Sequence, residues 1–169
     1  IAQCAKKKGA YKVAVVDVLE GKLKLARELG ADVTINLEKE DSMEVVMDLT
    51  NGVGADVVVE AAGSESSFNT ASEIIKHNGK FVFYSWVTQP VTLNISRWHD
   101  DGLQFINTCL VHHTWRERYV WTPEALRPVL QGLVNIKPLI TREFKLEEIK
   151  EGFEYADKDD TAIKIVFRP

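Results

Sequence analysis

Cysteine is scarce: Cys4 and Cys109 are the only two in 169 residues. Two thiols cannot build a disulfide framework or a cysteine-rich metal site, and the reading they support is a pair of reduced, buried side chains. Long apolar runs are missing too. No stretch approaches the roughly 18 apolar residues of a membrane span. Ile1 to Gly9 is amphipathic and lysine-rich but lacks the apolar block of a secretory leader. Without a secretory context, Asn94-Ile95-Ser96 reads as a chance sequon and the expected compartment is the cytosol. An excess of positive charge is also absent. The formal net charge of -4 argues against a nucleic-acid partner, which usually demands a basic face. Finally, no glycine-rich phosphate fingerprint occurs. Gly52-Val53-Gly54 precedes a strand-like run, whereas that fingerprint follows a strand and opens a helix, so these glycines read as a turn.

What is present is an ordinary globular composition, 45% apolar and 27% charged, long enough for one domain with a sizeable core. The chain alternates between strand and helix patterns. Residues 1–9 read as a helix ending on Gly9. Val13 to Val16 is a short apolar strand closed by Asp17. Gly21 to Leu29 is a helix with Leu23, Ala26 and Leu29 on one face, stopped by Gly30. Ala31 to Asn36 is a strand, and Asp41 or Ser42 caps a helix that turns Val45, Val46 and Leu49 inward. Ala55 to Ala61 is the most hydrophobic strand. Ser66 to His77 is helical and Lys80 to Ser85 is a strand. Residues 86–101 form a long connection, and Leu103 to Val111 reads as a further strand. Thr122-Pro123-Glu124 predicts a helix start, running to about Val134; Leu146 to Tyr155 is helical, and Ala162 to Phe167 is a last strand. Continuous apolar strands between helices indicate an α/β, doubly wound parallel sheet with helices on both faces.

The pattern opens on a helix. In a dinucleotide-binding fold the first strand sits at the centre of the sheet. Without it, the neighbouring strands would each carry an unpaired edge. The fold is therefore expected to be incomplete at its N-terminus, with the missing strand supplied by a longer chain or by another molecule.

Asp17 is the most informative residue. A carboxylate at the end of this strand can accept hydrogen bonds from the hydroxyls of an adenosine ribose, and it repels a 2′-phosphate, which selects NAD over NADP. Taken alone it reads more readily as a helix-capping or surface aspartate. Lys22, five residues on, can reach the same ribose or its phosphates; alone it is a solvated lysine. His112 and His113 invite a metal hypothesis, but neighbours on a strand point to opposite faces, so they are not expected to chelate one ion. Arg116, Glu117 and Arg118 read as a solvated, charged loop.

The run Val15-Val16-Asp17, Lys22-Leu23 and Ala26-Arg27-Glu28-Leu29-Gly30-Ala31-Asp32 resembles the zinc-type, medium-chain dehydrogenase family, especially its sorbitol, threonine and alcohol dehydrogenase branches. Ile1 to Ala10 looks like that family's first coenzyme-domain helix. Gly54-Ala55-Asp56-Val57-Val58-Val59-Glu60-Ala61-Ala62-Gly63 looks like its fourth strand, and Gly79-Lys80-Phe81-Val82 starts the fifth. Lys137-Pro138-Leu139-Ile140-Thr141 and Leu146-Glu147-Glu148-Ile149-Lys150-Glu151-Gly152-Phe153 resemble its C-terminal signature, so the likeness runs through nearly the whole chain. The resemblance implies a Rossmann-type NAD-binding domain over residues 1–169, whose C-terminal helices and strand pack on a catalytic domain lying outside this chain.

Asp17 and Lys22 would then hold the adenosine ribose. The backbone at Ala61, Ala62 and Gly63, and at Tyr84, Ser85 and Trp86, would pass beneath the nicotinamide ribose and carboxamide. Lys164 would approach the pyrophosphate, or be a solvent-facing strand lysine. Ser85 and Trp86 depart from the family's usual glycine and small aliphatic residue. The implied activity is hydride transfer between NAD and a polyol, sugar alcohol or amino-alcohol, with zinc ligands only in the catalytic domain and no catalytic residue in this chain. By itself the chain is expected to be inactive and to bind NAD weakly. The implied assembly is a homodimer or homotetramer through the edge strand near Leu103 to Val111. Two other readings stay open: a non-catalytic dehydrogenase-like dimerisation module, and a zinc-free quinone reductase of the same superfamily, against which Asp17 speaks because NADP is usual there.

Overall fold

A computed structural model describes residues 1–108 and 115–169, the side chains of 115–121 excepted. In chain order the elements are α1 (Ala2–Lys7), β1 (Ala14–Asp17), α2 (Glu20–Glu28), β2 (Val33–Asn36), α3 (Ser42–Leu49), β3 (Ala55–Glu60) and α4 (Glu65–Ile74). They continue with β4 (Ile75–Phe83), β5 (Gln104–Asn107), α5 (Trp115–Leu130), β6 (Ile140–Lys145), α6 (Ile149–Lys158) and β7 (Lys164–Arg168). The chain divides into two compact units, one of residues 1–39 with 119–169 and the other of residues 40–118. Strands pair in parallel as β1 with β2, β3 with β4 with β5, and β6 with β7.

The first unit is built from two strand–helix–strand turns. α1 closes as its glycine predicts: Gly9 takes φ +93°, and the amides of Gly9 and Ala10 bond back to the carbonyls of Lys6 and Ala5. In β1–α2–β2 the register sets Asp17 opposite Asn36, while Leu23, Ala31 and Ile35 are buried. Gly30, at φ +99°, follows α2. Gln3 reaches residue 135 twice, donating from Nε2 to the Asn135 carbonyl at 2.8 Å and accepting the Asn135 amide at 2.7 Å, so α1 is tied to the segment that follows α5. In β6–α6–β7 the buried ring of Phe144 packs on Tyr155 and Phe167. α6 lies close enough to β7 that a Cβ on Gly152 would stand 2.5 Å from the Phe167 ring.

The second unit holds an aromatic core. Phe68, Ala71, Ile75 and Phe81 are buried together, with Val58, Phe83, Val91, Leu93 and Leu103 packed against them. Asp41 caps α3 by accepting the amides of Met43 and Glu44, as its side chain predicts. The long connection before β5 is irregular but anchored. The Arg97 guanidinium donates to the carbonyls of Ser72, Glu73 and Ile75 at the end of α4 and pairs with the buried Asp101 carboxylate. Trp98 Nε1 donates to Ser72 Oγ at 3.1 Å.

Several expectations are corrected. The helix expected over Ser66 to His77 stops at Ile74, and β4 begins at Ile75 rather than Lys80. Arg97 donates to the last carbonyls of α4 from outside the helix, and Asn78, at φ +56°, falls inside β4 where its register on β3 shifts. The helix expected from Thr122 starts at Trp115, so Pro123 lies inside it. β6 is a strand that the sequence does not announce, because Ile140-Thr141-Arg142-Glu143-Phe144-Lys145 carries charges where a buried strand would not. Cys4 is exposed, not buried; Cys109 lies outside the described residues, as do His112 and His113 and the end of the expected strand to Val111. The apolar runs of β1 and β3 are half-buried at best, with Val57 52% exposed. Each of these strands has one ladder neighbour among the described residues.

The turn before β3 carries a severe constraint. Gly54 has φ +93°, and a Cβ there would lie 2.9 Å from the Lys76 amide nitrogen and 3.1 Å from the Ile74 carbonyl oxygen, both rigid backbone. Gly54→Ala should therefore cost about 1–2 kcal/mol for the left-handed backbone and about 1–3 kcal/mol more for overpacking. Denaturant melts of parent and variant decide it; a loss within experimental error would show that the turn relaxes freely.

Candidate functional site

Two groups of expected site residues are built by the turns at the carboxyl ends of β1 and of β3 and β4. At the end of β1 the Asp17 carboxylate folds over its own turn. Its Oδ1 accepts the amides of Val18 at 2.8 Å and Leu19 at 2.9 Å, which orients the group at the start of α2. One oxygen thus holds the turn into α2, while Oδ2 takes no hydrogen bond among the described residues. Lys22 stands in the first turn of α2, half-buried and without an ion pair among the described residues. Across the register, buried Asn36 donates from Nδ2 to Glu20 Oε2 at 3.1 Å, and the same oxygen accepts Lys39 Nζ at 2.8 Å. The Lys39 hydrogen bond, then that of Asn36, holds the Glu20 carboxyl below its usual pKa. Lys164 sits at the exposed first position of β7, and nothing described joins its side chain to Asp17 or Lys22.

The second group centres on a residue that sequence reasoning missed. Glu60 ends β3 and is only 3% exposed. Its Oε1 accepts the amides of Ala62 and Gly63, both at 2.8 Å, and the Ser67 hydroxyl at 2.7 Å. Its Oε2 accepts the Ser85 hydroxyl, and its main-chain carbonyl accepts the amides of Tyr84 and Ser85. Ala61 to Gly63 and Ser85 are therefore brought together around one carboxylate. Gly63 is required there: φ is +79°, and a Cβ would stand 3.0 Å from the Trp86 carbonyl oxygen and 3.4 Å from Ser85 Cβ. The close approach expected of a cofactor at this glycine is, in the protein itself, the approach of one turn to the other. The departure at Ser85 is explained by Glu60. Nothing in the structure explains Trp86, whose ring is 75% exposed.

The polarity of the turn follows from planar trans peptides. With the amides of Ala62 and Gly63 aimed inward at Glu60, the carbonyls of Ala61 and Ala62 point the opposite way. The outer side of the turn offers acceptors, suited to hydroxyl or amide hydrogens and unsuited to phosphate. The start of α4 is closed as well, since Ser64 and Ser67 cap each other reciprocally. Among the described residues no three His, Cys, Asp or Glu side chains gather as metal ligands do.

Burial works against ionisation of Glu60, but the hydrogen bonds from Ser85 and Ser67 and from the Gly63 and Ala62 amides outweigh it, so its carboxyl is held below the usual range. A lowered folded pKa stabilises the protein above the ordinary glutamate value of about 4.3, and this contribution is lost as pH falls through the lower folded value. Thermal melts across the acid range should show the wild type losing stability more steeply than Glu60→Gln. Parallel curves would mean that the ionised form contributes nothing.

A family profile described as zinc-binding dehydrogenase matches residues 1–122. The L-threonine 3-dehydrogenase of Bacillus subtilis is 32% identical over 150 residues, a match covering 89% of this chain and 42% of that protein. The erythritol/L-threitol dehydrogenase of Mycolicibacterium smegmatis is 30% identical over 166 residues, covering 98% and 44%. An oxidoreductase/dehydrogenase of unknown specificity from Escherichia coli superposes with a TM-score of 0.86 at 27% identity, over 99% of this chain and 47% of that one. The 2R,3R-butanediol dehydrogenase of Bacillus subtilis shares the fold, with a TM-score of 0.84 at 22% identity, over 99% of this chain and 46% of that one. The chain thus spans less than half the length of these relatives. With its parallel strand–helix–strand units and a profile match through β1, β3 and β4, the chain belongs to the zinc-type, medium-chain dehydrogenase family and has the Rossmann-type fold of that family's coenzyme-binding domain.

Proposed function

We propose that this chain is the coenzyme-binding part of an NAD-dependent alcohol dehydrogenase. The observation that carries the reading is the Asp17 carboxylate, oriented by two backbone amides, its second oxygen accepting no hydrogen bond among the described residues, at the end of a strand in a βαβ turn. A free carboxylate oxygen accepts ribose hydroxyls and repels a 2′-phosphate, which favours NAD. Lys22, in the first turn of the following helix, would assist at the ribose or the phosphates, and Lys164 at the pyrophosphate. The acceptor face of Ala61 and Ala62, with Gly63 and the adjoining Tyr84, Ser85 and Trp86, suits the hydroxyls of the nicotinamide ribose and the carboxamide hydrogens.

NAD supplies the hydride acceptor, and a zinc held by the rest of the enzyme would polarise the alcohol oxygen. The residues of this chain bind and orient the cofactor. The names of the relatives support an alcohol carrying a neighbouring hydroxyl or amine as substrate. No described helix is long and apolar enough to cross a membrane; the compartment proposed for the enzyme is the cytosol. β5, exposed at all four residues and with only β4 beside it among the described residues, supports assembly into a homodimer or homotetramer through that edge.

The test is to assay the complete protein with threonine, vicinal diols, sugar alcohols and simple alcohols, each with NAD or NADP. NAD reduction by a substrate of the first three classes is the expected result. Activity with NADP alone, or none with any alcohol, counts against the reading.

A further inference from the structure

We propose that Glu60 is a positioning residue: it clasps the turn after β3 to the end of β4 and so sets the surface against which the nicotinamide end of the cofactor is held. This rests on the cofactor reading above. Glu60 accepts four hydrogen bonds, from two amides in the turn, from Ser67 in α4 and from Ser85 beyond β4. An ionised carboxylate is acceptor-only, and every group facing it is a donor, so the arrangement is matched throughout. Its consequence lies on the opposite side of the turn. While the amides of Ala62 and Gly63 are held inward, the carbonyls of Ala61 and Ala62 are held outward. Removing the carboxylate leaves these part-buried donors without their common acceptor, and the turn peptides are then free to rotate toward water or other acceptors. The outward carbonyls are then lost or displaced. Ser85 joins the same clasp to the second segment, where Gly63 already packs against the Trp86 carbonyl. A serine where the family usually has glycine is thereby given a task, which is to hold the two segments at a fixed spacing.

The structural alternative is that Glu60 merely stabilises the fold, and two nucleotides separate the possibilities. ADP carries the adenosine end of the cofactor but neither the second ribose nor the nicotinamide. In the complete protein, Glu60→Ala should weaken NAD about tenfold and lower kcat/KM for alcohol oxidation by about ten- to a hundredfold, leaving ADP affinity within about twofold. Ser85→Ala, which leaves the turn amides paired, should shift NAD the same way by a few-fold, and Ser85→Thr should restore it. If the wild type binds both nucleotides while the variants weaken NAD and ADP alike, or while Ser85→Ala changes neither NAD affinity nor kcat, the clasp is structural only and the proposal falls. A wild type that binds neither nucleotide overturns the cofactor reading, and the proposal with it.

Discussion

Replacing Phe81 with alanine should remove about 3–5 kcal/mol of stability, the range for deleting a large aromatic side chain from a packed core. Phe81 is fully buried on β4 and touches rings on every side. It lies 4.9 Å from Phe83, 5.4 Å from Phe105, 6.2 Å from Phe68 and 6.3 Å from Trp98, centroid to centroid. Its neighbours come from α4, β4, β5 and the long connection, so no single element can move in to fill the void. The matched control is Phe105→Ala, whose ring is 37% exposed and should cost clearly less. Urea unfolding of both variants, with slopes compared to the parent, measures the difference. Equal small losses would mean that the second unit is held together elsewhere. The effect reaches the site, because β4 runs straight from this ring into Tyr84 and Ser85, which bond to Glu60.

The second large effect is on cofactor choice. Asp17→Ser should weaken NAD by about 1.5–3 kcal/mol, the range for a hydrogen bond to a charged group, and should improve NADP relative to NAD. Serine is a better probe than alanine, because its hydroxyl can still accept from the turn amides that Asp17 Oδ1 now holds. The turn into α2 is kept while the charge and the second oxygen are lost. Dissociation constants for NAD and NADP in the complete protein give the ratio. A ratio unchanged by the substitution would reduce Asp17 to a turn cap.

Much of this was legible in the residues, for identifiable reasons. Gly9 and Asp41 act locally through backbone conformation and a side-chain cap, and both are realised where expected. The parallel α/β pattern could be read from short apolar strands alternating with helices. Where the reading failed, distant groups decide the outcome. α4 ends where Arg97, more than twenty residues away, meets its carbonyls. β1 and β3 are less buried than their continuous apolar runs suggest, because such a run implies helices over both faces and most residues of these strands stay half-buried or exposed. Glu60 carries a signal of its own in the sequence. It is a charge placed directly after Val57-Val58-Val59, at the end of the most hydrophobic strand, and a buried carboxylate must gather donors. Ala-Ala-Gly-Ser, the sequence that follows it, supplies three of the residues that form its turn and helix cap.

The central claim is that this chain belongs to an enzyme that binds NAD and reads its adenosine ribose through a carboxylate. Calorimetric titration of the complete protein with NAD and then NADP tests that claim most directly. The account predicts saturable binding of NAD at one site per chain, with NADP at least tenfold weaker, in line with the about 1.5–3 kcal/mol assigned to Asp17. Equal affinity for the two, a preference for NADP, or no binding of either would contradict it.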